Sequence, residues 1–149
     1  MLMKHRDLGS MPDGLCRVAE DIRKGSGVVR KLVDGAYVLA KPTSADEASN
    51  FYGFVTLDIE NKEHKASYYD TIKKGELAVC YTRVKNNEWK TTEFAKGLAK
   101  GDKCVIGFEG EDAGKVVKAG EGATATMEVI GLIAAMGGYE EAMVVVKLL

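Results

Sequence analysis

Two histidines, three cysteines and a few adjacent carboxylates are the side chains of this 149-residue sequence best suited to chemistry. His5 lies in "MLMKHRDLG" and His64 in "ENKEHKASYYD". Neither belongs to an H-E-x-x-H pattern, and neither has a Cys or Asp at ligand spacing, which a zinc centre needs. Both read as solvated surface imidazoles. Cys16, Cys80 and Cys104 are odd in number and far apart, with no C-x-x-C pair. They read as small apolar side chains on strands rather than as metal ligands or a disulfide framework. No G-x-S-x-G occurs, and no cysteine stands beside a base in sequence. The acidic pairs Asp46-Glu47, Glu111-Asp112 and Glu140-Glu141 fall among turn residues, where solvated carboxylates are the default. The expectation is a chain with no catalytic residue, no metal and no cofactor.

One recurring phrase could still hold a phosphate. "IRKGS" (22–26), "IKKGE" (72–76) and "LAKGD" (98–102) each place an aliphatic residue three before a glycine and a lysine directly before it. A phosphate loop needs several convergent N–H groups, and these come together where a strand runs into a helix N-terminus. All three phrases lead instead into apolar, strand-like runs. A turn accounts for each residue: Ile22, Ile72 and Leu98 enter the core, and Lys24, Lys74 and Lys100 stay in water. Gly25, Gly75 and Gly101 take the positive φ. Spacings of about 50 and 26 residues rule out a regular repeat.

The elements around these turns read as strands. "GVVRKLVDGAYVLA" (27–40) contains Asp34-Gly35, a two-residue hairpin signal. "KPTSADEASN" (41–50) reads as a polar loop. "FYGFVTLDIE" (51–60) is a strand with Phe51, Val55 and Leu57 on one face and Gly53 at a bulge or close approach. "ELAVCYTRV" (76–84) alternates with period two, Asn86-Asn87 turns the chain, and Trp89 and Thr91 share a face of the next strand. "KCVIGFEG" and "KVVKAG" follow, and 124–136 with 140–149 form a C-terminal hairpin around Gly137-Gly138. Helix fits poorly. Residues 14–25 can be drawn as a short helix, and 91–101 hold one turn capped by Thr91 or Thr92. Short strands with Gly-rich turns predict an all-β fold, a compact β-barrel or β-sandwich with at most one or two short helices. Residues 1–14 are expected to be an extended N-terminal arm and 15–149 a single β-rich domain.

Composition limits the function classes. Hydrophobic residues make up 46% and charged residues 29%, and 21 basic against 22 acidic residues leave a formal net charge of -1. That balance argues against a nucleic-acid binder, which carries a basic excess or stripe. The N-terminus does not read as a signal peptide, and no apolar run is long enough to span a membrane. A soluble protein made in a cytoplasm is expected. Phe51, Tyr52, Phe54, Tyr68, Tyr69, Tyr81 and Trp89 cluster within 51–89 and on an OB-like barrel would stack bases. Asp58, Glu60, Glu63, Asp70 and Glu76 share that region and deny it a positive groove, so core and subunit packing is the favoured use.

Taken in order, these features resemble the small β-rich decoration (cement) proteins of tailed-phage heads. The resemblance runs over about 15–120 and rests on "GFVT", "DTIKKGELAVCYT", "EWKTTEFAKGLAKGDKCVIGFEG" and "GKVVKAGEG". The loop at 41–50 and the apolar C-terminal hairpin have no clear counterpart in it. It implies a non-enzymatic virion protein on the outer capsid surface, synthesised in the host bacterial cytoplasm. Such a protein binds the major capsid protein at subunit junctions, as a homo-oligomer with a trimer favoured, and touches neither nucleic acid nor membrane. On this reading Met1, Leu2, Met3, His5, Arg6, Leu8 and Met11 of the arm, with Trp89, make the capsid or subunit contacts. The competing readings are an OB- or SH3-like barrel that binds nucleic acid or peptide, and another virion β-protein such as a tail component.

Overall fold

A computed structural model describes residues 1–57, 70–135 and 141–149. His64, Tyr68, Tyr69, Asp58, Glu60, Glu63, Glu140 and the Gly137-Gly138 turn lie outside the described residues. The fold is all-β. Its strands are β1 (Leu2–Arg6), β2 (Pro12–Val18), β3 (Ile22–Arg23), β4 (Gly27–Val33), β5 (Ala36–Ala40), β6 (Gly53–Thr56), β7 (Thr71–Ile72), β8 (Leu77–Thr82), β9 (Glu88–Thr91), β10 (Lys103–Ile106), β11 (Val116–Lys118), β12 (Met127–Ile133) and β13 (Met143–Leu148). One short helix, α1 (Ala45–Ser49), stands between β5 and β6.

Five strands close a barrel in the order β2-β5-β4-β6-β8, and a six-stranded sheet runs β1-β9-β13-β12-β10-β11. Period-two alternation lets the barrel strands serve two cores at once. Val28, Leu39, Val55 and Cys80 point into the barrel with Cys16, Val18 and Ala78. Their neighbours Val29, Ala40 and Phe54 turn outward and join Trp89, Ile106, Val129, Val144 and Val146 in the core shared with the sheet. Each large aliphatic or aromatic side chain buried this way stabilises by about 1.5–3 kcal/mol. All three cysteines are free and buried, on β2, β8 and β10.

The Lys-Gly phrases form one kind of turn. Ser26 N donates to Arg23 O at 3.1 Å, Glu76 N to Lys73 O at 2.9 Å and Asp102 N to Ala99 O at 3.0 Å. Gly25, Gly75 and Gly101 sit third in these turns at φ 95, 87 and 94, the left-handed value that a type II turn requires. Their N–H groups donate to Val55 O, Val18 O and Val129 O, so none is aimed at an anion site. Ile22 and Ile72 are fully buried and pair in register across β3 and β7, fastening two of the turns together. Lys74 and Lys100 are exposed, whereas Lys24 is half-buried and burial lowers its pKa.

Three expectations need correction. Residues 41–50 are not all loop: Ser44 caps α1 by accepting from Glu47 N at 3.2 Å, and the Glu47 carboxylate accepts from Thr43 N at 2.7 Å. The alternative helical drawings of 14–25 and 91–101 fail, because 14–18 belong to β2 and Thr91 ends β9. The expected arm is extended but docked. Leu2–Lys4 pair with Trp89–Thr91, and 12–14 already belong to β2, so the division expected after residue 14 falls inside a strand. Asp7 holds this segment down, accepting from Lys4 Nζ at 2.9 Å, Ser10 N at 2.7 Å and Asn87 Nδ2 at 3.1 Å. Buried Asn87 returns a bond by accepting from Leu8 N at 2.7 Å. The Lys4 ammonium and the Ser10 N–H hold the Asp7 carboxyl far below the usual carboxylate range.

Candidate functional site

At one end of the barrel the β4–β5 hairpin runs past its neighbour. β6 pairs with β4 only through Gly27↔Phe54 and Val28↔Gly53, whereas β4 continues to Val33. Asp34 (φ 50) and Gly35 (φ 81) close the hairpin as a type I′ turn. The overhang carries Leu32 directly opposite Tyr37, with Val33 on the other face of the ribbon, and all three are exposed. Two residues on the β2 side complete an apolar rim: Met11 is 73% exposed and Leu15 is 89% exposed.

Inside the rim sits a polar plug. The Arg30 guanidinium carbon lies 4.5 Å from the ring centroids of both Tyr37 and Tyr52. Arg30 Nη1 donates to Tyr52 Oη at 3.2 Å and stands 3.7 Å from Asp13 Oδ2. Tyr52 Oη donates to Asp13 Oδ2 at 2.8 Å, and Leu15 N donates to Asp13 Oδ1 at 3.0 Å. The Leu15 N–H, followed by the Tyr52 hydroxyl, keeps the Asp13 carboxyl below its ordinary pKa. Burial first, and donation to Asp13 second, push Tyr52 up to about 12. Near neutral pH the plug is therefore a carboxylate, a neutral phenol and a guanidinium, each satisfying the others. Burial also raises the Cys16 and Cys80 thiols, which stay protonated and poorly nucleophilic.

A groove of about 530 Å³ opens beside the plug, lined by Gly9, Met11, Pro12, Leu15, Tyr52 and Val84 among others. Its main polar groups are already bonded to each other, so it offers a visitor apolar surface rather than unpaired donors. Among the described residues no three His, Cys, Asp or Glu side chains meet in a metal-binding group, and no helix is long and apolar enough to cross a membrane.

The residues expected to make contacts are scattered. Met11 reaches the barrel mouth, and the exposed Leu8 lies in the link that leads to it. Met1, Met3, His5 and Arg6 are exposed on or beside β1, and Leu2 packs against the shared core. His5 Nε2 lies 3.5 Å from Glu88 Oε2. Trp89 is a correction: at 1% exposure, packed 5.0 Å from the Tyr81 ring, it is a core residue and presents nothing to a partner. The rim residues Leu15, Leu32 and Tyr37, with Arg30 and the exposed Val33 on the hairpin's other face, escaped the sequence reading. A signal was present, since adjacent Leu32 and Val33 beside a tight turn must face opposite sides of a ribbon. Comparison with protein-family models, with curated proteins and with solved structures finds no match to this chain.

Proposed function

We propose that the chain is a non-enzymatic structural protein of a phage virion that decorates and stabilises the capsid. It binds at junctions between major capsid subunits on the outer surface, as a homo-oligomer with a trimer favoured, after synthesis in the host bacterial cytoplasm. The observation that carries this reading is the apolar rim of Met11, Leu15, Leu32 and Tyr37, all exposed at the barrel mouth. Clustered exposed apolar side chains mark interaction surfaces. The resemblance of the sequence to phage decoration proteins supplies the partner in this reading. A near-neutral net charge suits a surface away from packaged DNA, and many copies on one shell add their weak contacts through multivalency.

The test uses the full chain, because deleting 1–14 removes β1 and the start of β2 together. Leu15→Asp combined with Tyr37→Asp is expected to lower occupancy on mature heads by roughly tenfold or more, as loss of central apolar anchors does. Circular dichroism should be unchanged. Wild-type chain that does not co-sediment with heads, or a variant that binds them equally, overturns the reading. The Arg30 guanidinium between two tyrosine rings favours a second reading, an OB- or SH3-like module for nucleic acid or peptide. Salt-dependent affinity for single-stranded DNA would mark that alternative.

A further inference from the structure

Well apart in sequence from the barrel mouth, two depressions of about 340 and 170 Å³ share Val105, Ile106 and Phe108. Ala45 and Ala48 of α1 and Ala123 wall the larger one, and Val117 of β11 walls the smaller. Sharing these residues, they adjoin as one largely apolar trough at the half-buried Phe108.

The rim of the trough is acidic. Asp46 lines the larger depression, and Glu109 and Asp112 line the smaller. Elsewhere the carboxylates of Asp7, Asp13, Glu47, Glu93, Asp102 and Glu128 are held by hydrogen bonds or ion pairs. Among the described residues Asp46 and Glu109 have no such partner, and Asp112 has only Lys115 Nζ at 3.9 Å. The nearby lysines are engaged, Lys103 with Glu128 and Lys118 with Asp102. Glu121, exposed in the turn before Ala123, adds a further carboxylate with no partner among the described residues.

We infer that this acid-rimmed trough is a docking site for a basic, apolar segment of a partner polypeptide, one aromatic or long aliphatic side chain seated beside Phe108 with lysine or arginine on either flank. Apolar area supplies the attraction, and the unmatched carboxylates select the sign of the flanking charge. A like-charged segment would bring carboxylates against carboxylates, so the rim excludes acidic partners as well as attracting basic ones. This inference does not depend on the role assigned to the barrel mouth.

The experiment is a titration of the isotope-labelled full chain followed by amide NMR shifts. Three synthetic peptides serve as probes: Lys-Leu-Lys-Phe-Lys-Leu-Lys, its counterpart with glutamate at every lysine, and Lys-Ser-Lys-Ser-Lys-Ser-Lys. The first is expected to move amides at 45–49, 105–109 and 121–124, and the other two to leave them in place. Asp46→Lys with Glu109→Lys, both exposed or rim positions that should not disturb folding, is expected to weaken that binding about fivefold or more. Equal binding of the glutamate peptide, or shifts confined to other surfaces, would overturn the proposal. Shifts at these amides that track protein concentration without peptide would mean that a second copy covers the trough, and would overturn the stated occupant.

Discussion

The junction between barrel and sheet and the mouth of the barrel use the same residue types in opposite ways. At the junction Trp89, Phe54, Ile106 and Val146 are sealed, and the backbones come so close that side chains are excluded. A Cβ on Gly25 would collide with Thr91 Oγ1 and lie 2.6 Å from Met1 O, and one on Gly27 would lie 2.5 Å from Ile106 Cδ1. At the mouth Leu15, Leu32 and Tyr37 are in solvent, and the turn glycine Gly35 has nothing within 4 Å of a built Cβ. One region spends its apolar residues on internal packing, and the other leaves them in solvent. The difference teaches where substitution should cost stability and where it should cost only binding.

The largest effect should come from the junction. Trp89→Ala is expected to destabilise by about 3–5 kcal/mol in chemical denaturation, because its cavity lies between two layers that cannot collapse onto it. Trp89→Phe should cost much less, since among the described residues the buried Nε1 has no partner and its removal relieves an unmet donor. A loss as large as that of the alanine variant would mean the indole nitrogen is satisfied in solution.

A sharper contrast compares two glycines of the same turn type. Gly75→Ala meets nothing within 4 Å and should cost only the left-handed backbone penalty, about 1–2 kcal/mol. Gly25→Ala adds a collision with backbone and a buried hydroxyl, and about 3 kcal/mol or more is expected. Equal thermal midpoints for the two variants would break the distinction between a free turn and a closed junction.

The smallest effect belongs to the mouth. Leu15→Lys should change unfolding free energy by no more than about 0.5 kcal/mol, as an exposed substitution does. A larger loss would show that the rim already serves the fold of the single chain.

Much of the fold was legible because it rests on local rules. The Asp34-Gly35 hairpin, the Lys-Gly turns and the alternation in 77–82 are set by backbone sterics within a few residues. α1 was missed although Ser44-Ala45-Asp46-Glu47 carries the S-x-x-E capping pattern; a single polar turn of helix lacks the apolar period that signals longer ones. The candidate site was poorly legible for another reason. Whether Trp89 or Tyr37 is exposed depends on which strands stack above it, and no local pattern encodes that. Trp89 has β13 and the barrel against it, whereas Tyr37 lies on a hairpin that outruns its neighbour.

The sequence by itself determined an all-β chain turned by glycine and asparagine, with strands whose faces alternate, because turn conformation and strand period are properties of a few consecutive residues. Tertiary structure alone decided that the strands divide into a closed barrel and a six-stranded sheet and that the first residues dock as an edge strand. It also decided that Leu15, Leu32 and Tyr37 at the barrel mouth are exposed while Trp89 is sealed. Those outcomes depend on contacts between residues far apart in the chain, where register and layer order choose which side of each alternating strand meets water.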